Sequence, residues 1–435
     1  MKQSSPLICG ALTFALLAGC NAASMKPAFD PSMSTVMARR ASTETTVYSF
    51  MGGADGSFPQ GGLLADLTGV FYGTTSSGGS ADAGTVFRLT PSGTQYTKTT
   101  LYSFLGSNDG QDPLGALVQD NTGALYGTTY NGGYSCQCGT VFKLTPSGSG
   151  YAESVLYRFN GGSDGMNPNG ALVAGNAGVL YGTTDGGGTS GDGTVFELTP
   201  AGSSYTERIL YSFKGGQDGA IPRAELLIRG GVLYSTTLAG GGGPCSLSGE
   251  PSGCGTVFAL FEESGSFTES VLYRFQGGTD GANVYAGLIG GSHGTLYGTT
   301  GGGGNKRCRG PIGNVGCGTA FKLVQSGSKY VETVLHRFEG GDDGRGAGGD
   351  LTLGAGRKLY GMTLLGGTAR LGTVFVLIPA KGSYRHKVLY SLQGPNYNDG
   401  ANPTGALVFG KDGALYGETQ AGGTANAGAV IRITP

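Results

Sequence analysis

The chain has 435 residues, 88 of them glycine, with a formal net charge of −1 and only 13% charged side chains. So little charge, with no basic stripe and no charge block, argues against a nucleic-acid partner and against a charged tail. Glycine at about three times its usual ~7% would suggest a low-complexity chain, yet here the glycines fall at fixed places between apolar runs.

The N-terminus reads as an export signal. Lys2 opens a short polar start, an apolar run extends from Leu7 to Leu17, and Leu17-Ala18-Gly19-Cys20 ends it. That run is too short to span a bilayer permanently. Small residues followed by cysteine resemble the bacterial lipobox, which implies removal of residues 1–19, acylation of Cys20 and a lipid bilayer as the first partner. An ordinary secretory signal is the alternative. Asn21, rather than Asp, points in a double-membrane host to the outer membrane. Residues 20–43 show no periodicity and read as a lipidated tether, which as a flexible coil reaches about 25 Å.

From residue 44 onward the chain repeats. Tyr72, Tyr126, Tyr181, Tyr234, Tyr297, Tyr360 and Tyr416 recur at spacings of 53 to 63 residues, which makes seven copies. Each copy holds four short runs rich in Val, Leu, Thr, Tyr and Phe, bounded by turn residues, the signal of strands. We call these runs A to D. In the second copy they are Gly115-Ala116-Leu117-Val118, Leu125-Tyr126-Gly127-Thr128-Thr129, the stretch Gly139 to Pro146, and Ser154 to Phe159. Short A to B and C to D connections suit antiparallel hairpins, whereas the D to A link of about ten residues is long enough to cross a four-stranded sheet. A four-strand meander followed by a crossing link is the plan of a propeller blade.

One copy offers too few large apolar side chains to repay the entropy of ordering some fifty glycine-rich residues, so the copies must stack. The phase of the repeat predicts how the stack ends. The chain starts with a lone D-type strand, Thr45 to Phe50, and stops after a C-type strand, Gly428 to Thr434. Pairing the two completes an all-β, seven-bladed propeller of four-stranded antiparallel blades.

The runs L-Y-G-T-T, G-T-V-F-x-L-T-P and G-G-x-D-G resemble the GloVer tandem repeat of bacterial choice-of-anchor proteins, over residues 44 to 435. The resemblance implies a surface or extracellular address and brings no catalytic residue or cofactor with it. Ser235, Met362 and Glu418 depart from the Tyr-Gly-Thr-Thr pattern, so blades four, six and seven are expected to be less regular there.

Several residues stand out as carriers of chemistry. Asp55, Asp109, Asp164, Asp218, Asp280, Asp343 and Asp399, each followed by glycine, would form a ring of carboxylates able to hold a cation or polar ligand. The plainer reading is Asp-Gly turn chemistry. Cys136 and Cys138, Cys245 and Cys254, and Cys308 and Cys317 all lie in B to C loops, and export would favour local disulfides, with a zinc thiolate site as the alternative. The loops Gly240–Cys254 and Gly301–Cys317 are the widest departures from the repeat, and Lys306, Arg307 and Arg309 give the second a positive charge suited to an anionic glycan or an acidic protein. His293, His336 and His386 fall in different phases and suggest no metal site. The preferred reading is a non-enzymatic binding or scaffold module acting through this loop face. The rival is a glycoside hydrolase or lyase using Glu225 and Asp350, acids near A runs that have no counterpart in the other copies.

Overall fold

The computed structural model describes residues 42–435 apart from Thr94, 134–135, Ser203, 247–250, 306–307 and 309–315. The signal segment, Cys20 and the charged trio Lys306, Arg307 and Arg309 therefore lie outside the described residues. The described residues form seven antiparallel sheets arranged as the blades of a propeller. No helix among them is long and apolar enough to cross a membrane.

Blade two shows the pattern. Its strands are A at Val118–Gln119, B at Leu125–Thr129, C at Thr140–Ser147 and D at Gly150–Arg158, hydrogen-bonded in that order. Strand A is shorter than the sequence pattern suggests, because only its end pairs with B while Gly115 and Ala116 turn toward the axis. Strand D is longer, since the C to D hairpin closes tightly from Ser147 to Gly150.

The ring closes as the repeat phase requires. Thr43–Ser49 pairs antiparallel with Ala429–Thr434, from Thr43 beside Thr434 to Ser49 beside Ala429. The first strand thereby becomes strand D of blade seven, next to C, B at Leu415–Gly422 and A at Gly400–Phe409. Strand C of the last copy is thereby covered on its outer side, as in the other blades.

Blades are joined by aromatic pairs. The phenylalanine that ends each D run meets the phenylalanine of the next C strand: Phe104 with Phe142, Phe159 with Phe196 and Phe213 with Phe258, at 5.0 to 5.1 Å between ring centroids and interplanar angles of 68 to 71°. Phe275 with Phe321, Phe338 with Phe375 and, across the closure, Phe50 with Phe87 repeat the edge-on geometry. In the seventh junction Leu392 and Ile431 fill the same space. The glycine of Tyr-Gly-Thr-Thr makes room for the ring, since a Cβ at Gly127 would lie 2.6 Å from Phe142 Cζ.

Two threonine patterns add polar links between and within blades. The first threonine of the run reaches the A run of the next blade, as Thr183 Oγ1 donates to the Ala224 carbonyl at 3.1 Å and Thr299 Oγ1 to that of Gly349 at 2.9 Å. The second pairs with the threonine opening strand C, as between Thr129 and Thr140 at 2.8 Å. Glu418 replaces the first threonine in blade seven and reverses the link: fully buried, it accepts the Gly62 N–H at 2.9 Å. Burial pushes its carboxyl up to about 8, although the Gly62 hydrogen bond opposes the shift. Strand B persists through Ser235, Met362 and Glu418, so these departures change side-chain contacts and leave the sheets intact.

The seven link aspartates are engaged at the blade junctions. Six accept a hydrogen bond from the tyrosine of the preceding D strand, at 2.7 to 3.1 Å. All seven accept a backbone N–H at 2.6 to 2.9 Å. What each faces on the next blade varies. Lys98 forms an ion pair with Asp55 at 3.0 Å and His386 contacts Asp343 at 2.9 Å. At the other five junctions the opposing residue is another acid, Glu44, Glu153, Glu207, Glu269 or Glu332. Burial, then the charge of the facing aspartate, pushes each of these glutamates up to about 7.

Two outcomes are expected. Phe50→Ala removes the ring that seals the junction of blades seven and one and should cost about 3–5 kcal/mol, read as a lower denaturation midpoint. A glutamate whose folded value lies above its unfolded one is held as the neutral acid, so its contribution is fully present below about 4.5 and lost as pH rises through 7. The melting temperature should therefore be higher at pH 5 than at pH 8. Glu153→Gln, which stays uncharged, should raise it at pH 8 and leave it unchanged at pH 5; an equal effect at both would refute the assignment.

Candidate functional site

The propeller axis opens into a cavity of about 490 Å³ lined by residues of all seven blades. Its wall comes from the starts of the A runs and the ends of the B strands, so it lies at the end of the axis that carries the D to A links and the B to C loops. Strong repetition elsewhere makes the wall easy to interpret. Side chains that recur in every blade serve packing, so those that do not are the candidates for contact with a ligand.

The decisive position is the second residue of the A run. It is Gly62, Ala116, Ala171, Gly287 and Ala406 in five blades, but Glu225 in blade four and Asp350 in blade six. The intervening Gly287 is what lets the two acids meet. A Cβ built there would lie 2.9 Å from Glu225 Cγ and 3.2 Å from Asp350 Oδ2, so the two side chains approach the space of one absent methyl. The Gly287 N–H donates to Asp350 Oδ1 at 2.5 Å.

Both acids front the cavity on one side and are enclosed by protein on the others. Glu225 is pushed up to about 8, first by burial and then by the Asp350 charge. Burial raises Asp350 as well, against the Gly287 hydrogen bond. Burial and the nearness of a second acid both favour a pair that keeps a proton, so that it can donate to as well as accept from a bound molecule.

Flanking side chains break the repeat in the same sector. The residue before Ala224 is Arg223, whose Nη2 and Nε lie 2.8 and 3.0 Å from Asp185 Oδ2. The corresponding residue in blade five is Tyr285, whose ring fills the space left by Gly301 and Gly348: a Cβ at Gly348 would meet Cε2 at 1.9 Å. Burial pushes the Tyr285 phenol up to about 12, with the Arg223 charge opposing. On the far wall the Gln420 amide donates to Gln60 Oε1.

Of the candidates read from the sequence, Glu225 and Asp350 converge on the cavity. None of the aspartates at 55, 109, 164, 218, 280, 343 and 399 lines it. The cysteines form three local disulfides, Cys136 to Cys138, Cys245 to Cys254 and Cys308 to Cys317, with Cα atoms 4.9 to 5.2 Å apart. Such bridges point to an exported or extracellular protein.

The structure also joins two histidines that different repeat phases had seemed to separate. His336 Nε2 and His386 Nδ1 approach the two oxygens of Asp343 at 3.0 and 2.9 Å, and the imidazoles stack 4.0 Å apart, 7° from parallel. The three donor atoms lie within 4.8 Å of one another. Parallel stacked rings keep their nitrogen lone pairs in separate planes, so this arrangement suits a shared carboxylate better than a common metal ion. Burial opposes ionisation of Asp343, but hydrogen bonds from both histidines and the Glu339 N–H hold its carboxyl below the usual range. The signal was present in the sequence: His386 stands where Glu153 stands in blade two, four residues before the D-strand tyrosine.

No curated protein matches the sequence. Solved structures share the fold at low identity. A polysaccharide lyase, an ulvan lyase, is similar over 87% of this chain and 94% of its own, at 10% identity and a TM-score of 0.51. The extracellular domain of a one-component system from B. thetaiotaomicron aligns with 89% of this chain over 40% of its own, at 10% identity and 0.50. An oxidoreductase described as a glucose dehydrogenase from Thermus thermophilus covers 90% of this chain and 100% of its own, at 15% identity and 0.45. The sequence itself matches a repeat-family model at residues 33–247 and again at 244–435. By that match the chain belongs to the Gloeobacter/Verrucomicrobia repeat family.

Proposed function

We propose that this protein is an exported, lipid-anchored binding module whose ligand enters the central cavity and is held by Glu225, Asp350, Arg223 and Tyr285. The observation that carries the proposal is the clustering of non-repeated polar side chains on blades four to six, around a cavity whose equivalent positions elsewhere are Gly or Ala. A volume of about 490 Å³ falls within the range of small-molecule sites. A carboxyl pair that keeps a proton, beside a guanidinium and a phenol, matches a hydroxyl-rich ligand, such as the end of a saccharide, which both donates and accepts hydrogen bonds. Binding would thus centre on the axis, and the long loops Gly240–Cys254 and Gly301–Cys317 would offer a second contact surface for a glycan or protein. Acylation at Cys20 supplies the anchor in this reading.

The paired acids also favour a second reading, a carbohydrate-active enzyme. Glu225 holds a proton near neutral pH and could act as a general acid, with the Asp350 carboxylate beside it. Both readings predict loss of saccharide capture when the pair is neutralised. The Glu225→Gln/Asp350→Asn double variant should weaken binding on a glycan array or by calorimetry about tenfold or more, the scale of losing hydrogen bonds to a charged group. Unchanged affinity would remove the cavity as the site. Release of reducing ends or unsaturated products by the wild type, abolished in the variant, would establish the enzyme; capture without turnover would leave the binding module.

A further inference from the structure

The face opposite the cavity mouth carries the A to B and C to D turns, and on three consecutive blades these turns lose their usual small polar character. Leu67 at the tip of the blade-one turn is 96% exposed, Leu353 in blade six 43% and Phe409 in blade seven 37%. These turns touch one another. A Cβ at Gly354 would lie 3.1 Å from Phe409 Cζ, and one at Gly69 would lie 3.7 Å from Lys411 Cβ, so turns six, seven and one form one surface.

Exposed cations accompany the apolar side chains: Arg357 and Lys358 in the turn of blade six, and Lys411 in that of blade seven. The nearby acids are occupied locally. Asp66 accepts the Thr68 and Val70 N–H groups within its own turn at 2.8 and 2.9 Å, and Asp412 pairs with Arg432 at 2.7 Å. In blade four, by contrast, Glu262 and Glu263 at the C to D hairpin accompany Arg229 at the A to B turn, so the charge there is mixed.

The chain enters the propeller on this face and in this sector. Thr43, the first strand residue, lies beside Thr434 at the end of strand C of blade seven. In sequence, residues 21–42 separate it from Cys20, and a coil of that length would reach about 25 Å.

We infer that the turns of blades six, seven and one form a membrane-docking surface, in which Leu67, Leu353 and Phe409 enter the headgroup region while Arg357, Lys358 and Lys411 meet anionic phospholipid. The inference builds on the lipid-anchored reading above. It sets the cavity mouth, on the opposite face, toward the aqueous phase.

The test uses the full chain on vesicles of phosphatidylethanolamine and phosphatidylglycerol, with a fluorophore at Leu67→Cys or, on the cavity face, at Met51→Cys. A lipid-borne quencher should dim the Leu67 label at least about twofold more than the Met51 label, as a group at headgroup depth requires. The Arg357→Glu/Lys411→Glu variant, its fold checked by circular dichroism, should show a partition coefficient about tenfold lower in flotation of the Cys20→Ser chain. The mass of the wild-type N-terminal peptide reports acylation separately. An unmodified Cys20 would remove the lipid anchor, yet flotation sensitive to charge reversal would still support docking by this face. Equal quenching from both labels, or flotation indifferent to the charge reversal, would overturn the docking inference whatever the state of Cys20.

Discussion

The structure depends on an edge-on contact between two phenylalanines of neighbouring blades, repeated at six of the seven junctions. An aromatic pair of this kind contributes about 0.5–1.5 kcal/mol beyond the burial of its area. Its geometric effect is larger than that figure suggests. Each ring packs against a small strand-B residue, so the glycine of Tyr-Gly-Thr-Thr, serine in blade four, and the phenylalanine of Gly-Thr-Val-Phe form one device split between two runs. In blade four Ser235 stands at the glycine position and donates to the Glu225 carbonyl at 2.8 Å, so the departure falls beside the cavity acids. Repetition of this contact fixes blade spacing, and closure through Thr43–Ser49 makes the spacing a ring.

A closed ring leaves a few positions with little packing to do. The starts of the A runs face the axis, where seven blades cannot all fill the space with large side chains. Five of them answer with Gly or Ala at the second position. Once the wall is made of small residues, a large polar side chain on any blade projects into open volume. Glu225 and Asp350 use that freedom on either side of Gly287, and Tyr285 uses it over Gly348. The same glycine-rich composition that would mark a disordered chain is here the condition for a cavity.

Architecture was legible in the sequence because it is written seven times. Repeat phase alone disclosed the pairing of the first strand with the last, and loop position disclosed the cysteine pairs. The acids Glu225 and Asp350 could be singled out as departures from the repeat, but their meeting across Gly287 could not, since it depends on both side chains reaching over the blade between them. The partner of the link aspartates was legible in principle, for a tyrosine stands seven residues before five of them and nine before Asp399. It went unread because turn chemistry explained each aspartate without it. His386 shows the limit of judging histidines by their own phase: its contact with Asp343 follows from comparing strand D of one blade with the link of the blade before it.

The protein thus contains two kinds of carboxyl pair, and repetition tells them apart. At the junctions an aspartate held by a backbone N–H and by the tyrosine of the preceding D strand faces a glutamate; this occurs five times and tracks the blades. Such a pair belongs to the stacking of the ring, because losing or gaining one changes a junction without creating a unique place on the molecule. The cavity pair occurs once, stands where small residues are otherwise the rule, and opens onto volume that protein does not fill. Raised proton affinity is common to both, so it cannot distinguish them. Uniqueness combined with open space can, and by that criterion the candidate site lies on blades four to six.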